Sequence, residues 1–207
     1  MAAPGPGVGA WALEHAGVRW VVLLLDDPDF DRVAVEPFLA RYAEPGPVYQ
    51  DERMEVYRPR APGEPAFYLR VGEGWHARET LAGGGTAMRW LGWSATLDAW
   101  SFGAGPEGAL AGVLTFDAWS FAQPRRLVVS VDGRTVWEGL VAEPRCQAVP
   151  LALTPGRHQV ELRVLDRPER PAQLGLGEDT RLISVGVANL DLRPEGGPGE
   201  GGCARRP

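Results

Sequence analysis

The chain has 207 residues, 44% of them hydrophobic, enough for one large domain or two small ones with a buried core. A net charge of −6 gives no electrostatic basis for gripping nucleic acid, and two cysteines, Cys146 and Cys203, are too few for a disulfide framework or a four-ligand zinc site. Gly (27) and Pro (19) favour turns over long helices, and all 21 basic residues are arginine.

The opening MAAPGPGVGA lacks the basic and apolar regions of a secretion signal. The longest apolar run, Val18 to Leu25, is interrupted by Arg19 and falls far short of the roughly 18 residues of a membrane-spanning helix. The stretch Gly17 to Leu25 predicts a buried strand, followed by the acidic loop DDPDFDR. Glu36 to Ala43 predicts a short helix with Pro37 at its first position, and two short strands should flank Asp51-Glu52-Arg53. Residues 1–60 therefore read as a small β-α-β-β subdomain that needs something to pack against.

APGEP (residues 61–65) is a plausible hinge. From there to residue 193, about nine short alternating runs recur at roughly ten-residue spacing. Leu127, Val129 and Val131 share one side of a strand, as do Val160, Leu162 and Val164. Asp132-Gly133 is a two-residue hairpin signal, and Thr154-Pro155-Gly156 and Gly83-Gly84-Gly85 read as turns. The expectation is a mainly β chain, with residues 61–193 forming an antiparallel β-sandwich of jelly-roll, carbohydrate-binding-module-like type. Residues 194–207 have almost nothing apolar to bury and are expected to be disordered.

The chemistry-bearing residues are sparse. Asp26, Asp27, Asp29 and Asp31 follow a strand, and Asp27 and Asp29 could offer oxygens to a divalent cation. A solvated loop that caps a helix accounts for them more simply. His15, His76 and His158 are scattered, with no nucleophile motif. His76 and Glu79, three apart, could form an acid–base couple or an ordinary polar strand end. No cofactor fingerprint appears, since the triple glycine lacks the Lys-Ser/Thr of a phosphate loop. Of the eight tryptophans, Trp75, Trp90, Trp93, Trp100, Trp119 and Trp137 fall in the sandwich. Such rings either fill a core or, exposed, stack on sugar faces.

The word DAWSF occurs at residues 98–102 and again at 117–121. Alternation sends Asp, Trp and Phe to one face and Ala and Ser to the other. A turn near residues 103–108 would make the two copies a hairpin in one sheet, with Trp100 across from about Val113 and Asp117 across from about Thr96.

Several motifs in order carry a family resemblance: Gly74, Trp75 and Glu79; Arg89 and Trp90; Ser120, Phe121, Pro124 and Arg125; Pro155 and Gly156; Asp179, Arg181 and Leu182. Residues 15–192 resemble the extracytoplasmic C-terminal β-sandwich region of bacterial glycosyltransferase-C, mannosyltransferase-like membrane proteins, without their membrane helices. The resemblance implies a non-catalytic accessory domain of cell-envelope glycan assembly at the extracytoplasmic face. Its implied partners are a glycan, a lipid-linked sugar or a membrane glycosyltransferase. The ligand patch expected from these motifs is Trp75, Glu79, Arg89 and Trp90, with Asp179 and Arg181 close by. The plainer alternative for that patch is a structural network of Arg89 and Arg181 with Glu79 and Asp179. Two other functions stay open: an interaction module docking on a membrane glycosyltransferase, and a glycoside hydrolase with paired acids drawn from Glu73, Glu79, Asp98, Asp117, Glu178 and Asp179.

Overall fold

A computed structural model describes residues 6–61, 63, 66–80, 87–103 and 108–196. Two compact units divide the chain between Ala66 and Phe67. The expected turn at Gly83–Gly85 and the expected disorder from residue 197 onward lie outside the described residues, while Pro194 still belongs to a strand.

The N-terminal unit begins with a helix that the sequence reading did not anticipate, α1 (Pro6–His15). It ends at Gly17, whose φ of +69° suits a left-handed cap, with the Val18 N–H donating to the Leu13 carbonyl. Strand β1 (Val21–Leu24) follows, then α2 (Arg32–Tyr42), β2 (Tyr49–Gln50) and β3 (Met54–Tyr57). Helix α2 starts four residues before the expected Glu36 because the Asp31 carboxylate caps it, accepting from the Val33 and Ala34 N–H groups at 2.9 and 3.3 Å. Pro37 consequently lies inside the helix rather than at its first position. Asp51 organises the predicted turn by accepting from the Arg53 and Met54 N–H groups, both at 2.8 Å. The three strands pair in the order β1-β3-β2, all antiparallel. One face packs Leu23 and Tyr57 with Ala43 into a small core beside Val35 and Leu39 of α2. Glu55 is buried on that face and is satisfied by Arg32 (2.7 Å), Gln50 (3.0 Å) and Tyr57 (2.8 Å).

The C-terminal unit is an antiparallel β-sandwich. Its strands are β4 (Ala66–Val71), β5 (Glu79–Thr80), β6 (Ala87–Leu91), β7 (Ser94–Phe102), β8 (Leu110–Ser120), β9 (Arg125–Val131), β10 (Arg134–Val141), β11 (Arg145–Leu153), β12 (Gly156–Val164) and β13 (Val185–Pro194). They form two five-stranded sheets, β10-β9-β12-β7-β4 and β11-β8-β13-β6-β5. Alternation decides which side of each strand is inside. Leu97, Ala99, Leu127, Val129, Val160 and Leu162 of the first sheet meet Leu114, Phe116, Val149, Leu151, Val185 and Val187 of the second, all almost fully buried. The β9–β10 hairpin turns on Asp132 (φ +49°) and Gly133 (φ +80°), the paired left-handed conformation its sequence predicts.

The two DAWSF copies do not form a hairpin. β7 pairs with β12 and β4 in one sheet, whereas β8 pairs with β11 and β13 in the other, so the link between them crosses the sandwich. Trp100 is opposite Arg157, not Val113, and Asp117 is opposite Cys146 and Ala188, not Thr96. A short turn favours a hairpin only when no better edge competes. Here β12 offers β7 a nine-residue partner, and β11 and β13 flank β8 over its whole length. The predicted parity nevertheless appears in both copies: Ala99 and Ala118 are fully buried in the core, and Trp100 and Trp119 point away from it. Cys146 lies in β11, and Cys203 lies outside the described residues.

Candidate functional site

Part of the expected patch meets at the β5–β6 end of the second sheet. Glu79 on β5 and Asp179 both grip Arg181, with N–O distances of 2.5 and 2.6 Å. Asp179 also accepts from the Arg181 N–H at 2.9 Å. The Arg181 hydrogen bonds hold the Asp179 carboxyl down to about 2. Arg89 does not join this ion cluster. It donates instead to the His76 carbonyl at 3.0 Å, while the His76 ring contacts the Leu182 carbonyl at 2.8 Å. Trp75 packs against the core and spends its indole N–H on the Thr96 carbonyl at 2.7 Å. Trp90 lies on the opposite face, edge-on to Trp119 and Phe121, each 6.0 Å between ring centres. Gly186 sits between Trp90 and Trp119 in the register, leaving room for the Trp119 ring. The six residues are therefore split four ways: Trp75 on the core, Glu79, Asp179 and Arg181 in an ion-paired cluster, Trp90 in an outward aromatic group, and Arg89 on the His76 carbonyl.

Asp27 and Asp29 form a tight turn in which the Asp27 carboxylate accepts the Asp29 N–H at 2.9 Å. Among the described residues no group of three or more His, Cys, Asp or Glu gathers to hold a metal ion.

A different constellation stands on the solvent side of the first sheet. Alternation in AFYLRV projects Tyr68 and Arg70 outward from β4, and the same rule projects Asp98 and Trp100 from β7. The neighbouring strand β12 contributes Arg157, directly across from Trp100. Asp98 is the keystone. Its carboxylate is only 8% exposed, and each oxygen receives one arginine through two nitrogens. Arg157 donates to Oδ1 at 3.1 and 2.7 Å, and Arg70 to Oδ2 at 3.2 and 2.5 Å. The Arg157 and Arg70 hydrogen bonds lower the Asp98 pKa, so it stays ionised.

Both guanidinium groups lie over the Trp100 ring, at 5.4 Å for Arg70 and 5.7 Å for Arg157. Tyr68 leans on the same indole at 5.4 Å. The Arg70 and Arg157 side chains remain 52% and 61% exposed, and the Nη1 of each takes no part in the bonds to Asp98. The result is a fixed cluster: a half-buried Trp100 ring, covered by Tyr68 and by two guanidinium groups that the Asp98 carboxylate holds in place with outward N–H donors. The sequence showed both strand alternations, but not which face of β7 is turned to solvent. It did not show that β4, β7 and β12 are neighbours, which is what joins Tyr68, Arg70, Asp98, Trp100 and Arg157.

The chain matches no family model and no curated protein. Solved structures similar to it include a family 35 carbohydrate-binding module from Clostridium thermocellum (12% identity, 60% of this chain and 98% of that one, TM-score 0.36). A family 36 module of a xylanase from the hindgut metagenome of Trinervitermes trinervoides is also similar (10% identity, 65% and 99%, TM-score 0.33). A third is the C-terminal family 6 module of a laminarinase from Zobellia galactanivorans (9% identity, 59% and 98%, TM-score 0.32). Scores this low add no weight to the β-sandwich, which rests on its own strand order and register.

Proposed function

We propose that the sandwich is a non-catalytic, glycan-binding accessory module, and that saccharides bind on the solvent side of the first sheet. The observation that carries this reading is the Asp98 clamp, which fixes two exposed guanidinium groups beside the Tyr68–Trp100 pair. Sugar hydroxyl oxygens are acceptors, and this surface offers fixed guanidinium donors beside the half-buried Tyr68 and Trp100 rings. The tie to cell-envelope glycan assembly rests on the sequence resemblance alone. Titrating the full chain with soluble cell-envelope polysaccharides, followed by calorimetry, tests the proposal. Saturable binding is expected, weakened at least about tenfold by Trp100→Ala and by Arg157→Gln through loss of stacking and of fixed donors. Absence of saturation with every glycan would sink it.

The hydrolase alternative is poorly supported by these carboxylates. A general acid must hold its proton near neutrality. Asp98 and Asp179 are instead driven toward the ionised form by arginine hydrogen bonds, and Glu79 shares Arg181 with Asp179.

One observation favours the interaction-module reading for the N-terminal unit. The face of its sheet away from α2 exposes Trp20 (51%), Val22 (50%), Leu24 (50%) and Tyr49 (52%). Co-purification with a multi-spanning glycosyltransferase from detergent-solubilised membranes, lost in Leu24→Glu, tests that reading. No helix among the described residues is long and apolar enough to cross a membrane.

A further inference from the structure

The N-terminal unit contains a pocket whose charge runs against that of the whole chain. Its volume is about 490 Å³, within the range of small-molecule sites. Three arginines line it, Arg19, Arg58 and Arg60, against one acid, Glu14, in a protein whose net charge is −6. Among the described residues no carboxylate pairs with any of the three arginines, although nine other ion pairs form.

Two of the three are held by the fold. The backbone of residues 58–60 is pinned alongside the end of α2: Glu44 N–H donates to the Arg58 carbonyl at 2.9 Å, Arg60 N–H to the Tyr42 carbonyl at 2.6 Å, and Pro59 bridges to Ala43. The Arg60 side chain donates to the Ala40 and Ala43 carbonyls at 3.2 and 3.3 Å. Arg58 lies 5.8 Å over the ring of Trp20, which is half exposed and forms part of the pocket wall. Three solvent-exposed arginines, with one carboxylate among the lining residues and an open indole beside them, leave the pocket with an excess of positive charge that an anion would balance.

We infer that this pocket binds a sugar phosphate. A phosphomonoester carries close to two negative charges, which balance the pocket's excess of two arginines, and its oxygens match the planar donor fork of guanidinium. The attached ring lies against the exposed face of Trp20. Phosphate supplies the attraction and the indole supplies the choice of a ring-bearing ester over free phosphate.

Calorimetry on the full chain with glucose 1-phosphate, inorganic phosphate and glucose tests the inference. Glucose 1-phosphate should bind saturably, inorganic phosphate more weakly, and glucose not at all at this site. Arg58→Gln and Arg19→Gln should each weaken glucose 1-phosphate about tenfold by removing one charge-assisted contact. Trp20→Ala should reduce its affinity to that of inorganic phosphate. Trp100→Ala, in the other unit, should leave it unchanged, which separates this site from the sandwich surface. Circular dichroism identifies any variant that fails to fold, and either exposed arginine variant alone is sufficient to decide. No saturation with glucose 1-phosphate, equal binding of inorganic phosphate, unaltered affinity in both arginine variants, or loss of binding in Trp100→Ala would each overturn it.

Discussion

At the scale of single residues, arginine does the structural work of this chain, and it does so with specific partners. Arg125 is fully buried, donating to the Phe121 carbonyl, to the Arg167 carbonyl and to Glu169 at 2.6 Å. The Ser120-Phe121-x-x-Pro124-Arg125 motif is thus a latch for the turn into β9. Arg125→Met should cost about 3 kcal/mol in urea denaturation, because a fully buried guanidinium that ties three partly buried acceptors together is lost. At Asp98 the cost should be smaller. Its arginines are exposed and regain water, so Asp98→Asn should lose about 1–2 kcal/mol, and on the proposed function it should also abolish glycan binding through release of both guanidinium groups. Both Asp98 and Asp179 have pKa values lowered in the folded state, Asp179 to about 2. Their stabilisation is therefore complete above the unfolded carboxyl pKa of about 4 and is lost as pH falls through the folded value. Thermal melts should show a midpoint that declines from about pH 4 toward pH 2, with less decline in Asp98→Asn.

At the scale of elements, close packing between neighbouring strands sets the constraints. A Cβ on Gly186 of β13 would lie 2.6 Å from the Trp119 ring of β8. Gly186→Ala should therefore displace that indole and cost about 1–3 kcal/mol, with the near-ultraviolet dichroism of the Trp90–Trp119 contact altered. Strand identity was readable from alternation in β7, β9 and β12, and the Asp132-Gly133 turn fixed the β9–β10 hairpin in advance. Pairing between distant strands was not readable. The spacing of the two DAWSF copies pointed to a hairpin, and the structure instead places them in opposite sheets. Helix α2 shows the same limit on a small scale. Pro37 looked like a first helical residue until the Asp31 cap, a few residues upstream, was seen to start the helix earlier.

At the scale of the whole molecule, the two units have cores of very different size. Among the described residues, the sandwich buries twenty hydrophobic side chains in one cluster, whereas the cluster of the N-terminal unit buries only Leu23, Ala43 and Tyr57. Hydrogen exchange followed by mass spectrometry should find the amides of β1 and β3 far less protected than those of β7, β8 and β12. Comparable protection in both units would show that the small core is not the limiting element. The net charge of −6 likewise hides a local contrast, since the pocket of the N-terminal unit is lined by three arginines and one glutamate.

Composition, turn chemistry and strand alternation by themselves determined that this is a β-rich chain with a sandwich following a small α/β unit, and that Asp, Trp and Phe of each DAWSF copy share one face of their strand, but not whether that face is the core or the solvent side. These are local properties: each depends on residues a few positions apart. The tertiary structure alone decided which outward residues become neighbours. Asp98 meets Arg70 and Arg157 across 28 and 59 residues of sequence. Such contacts depend on strand order, and strand order follows from how two whole sheets bury their apolar faces against each other.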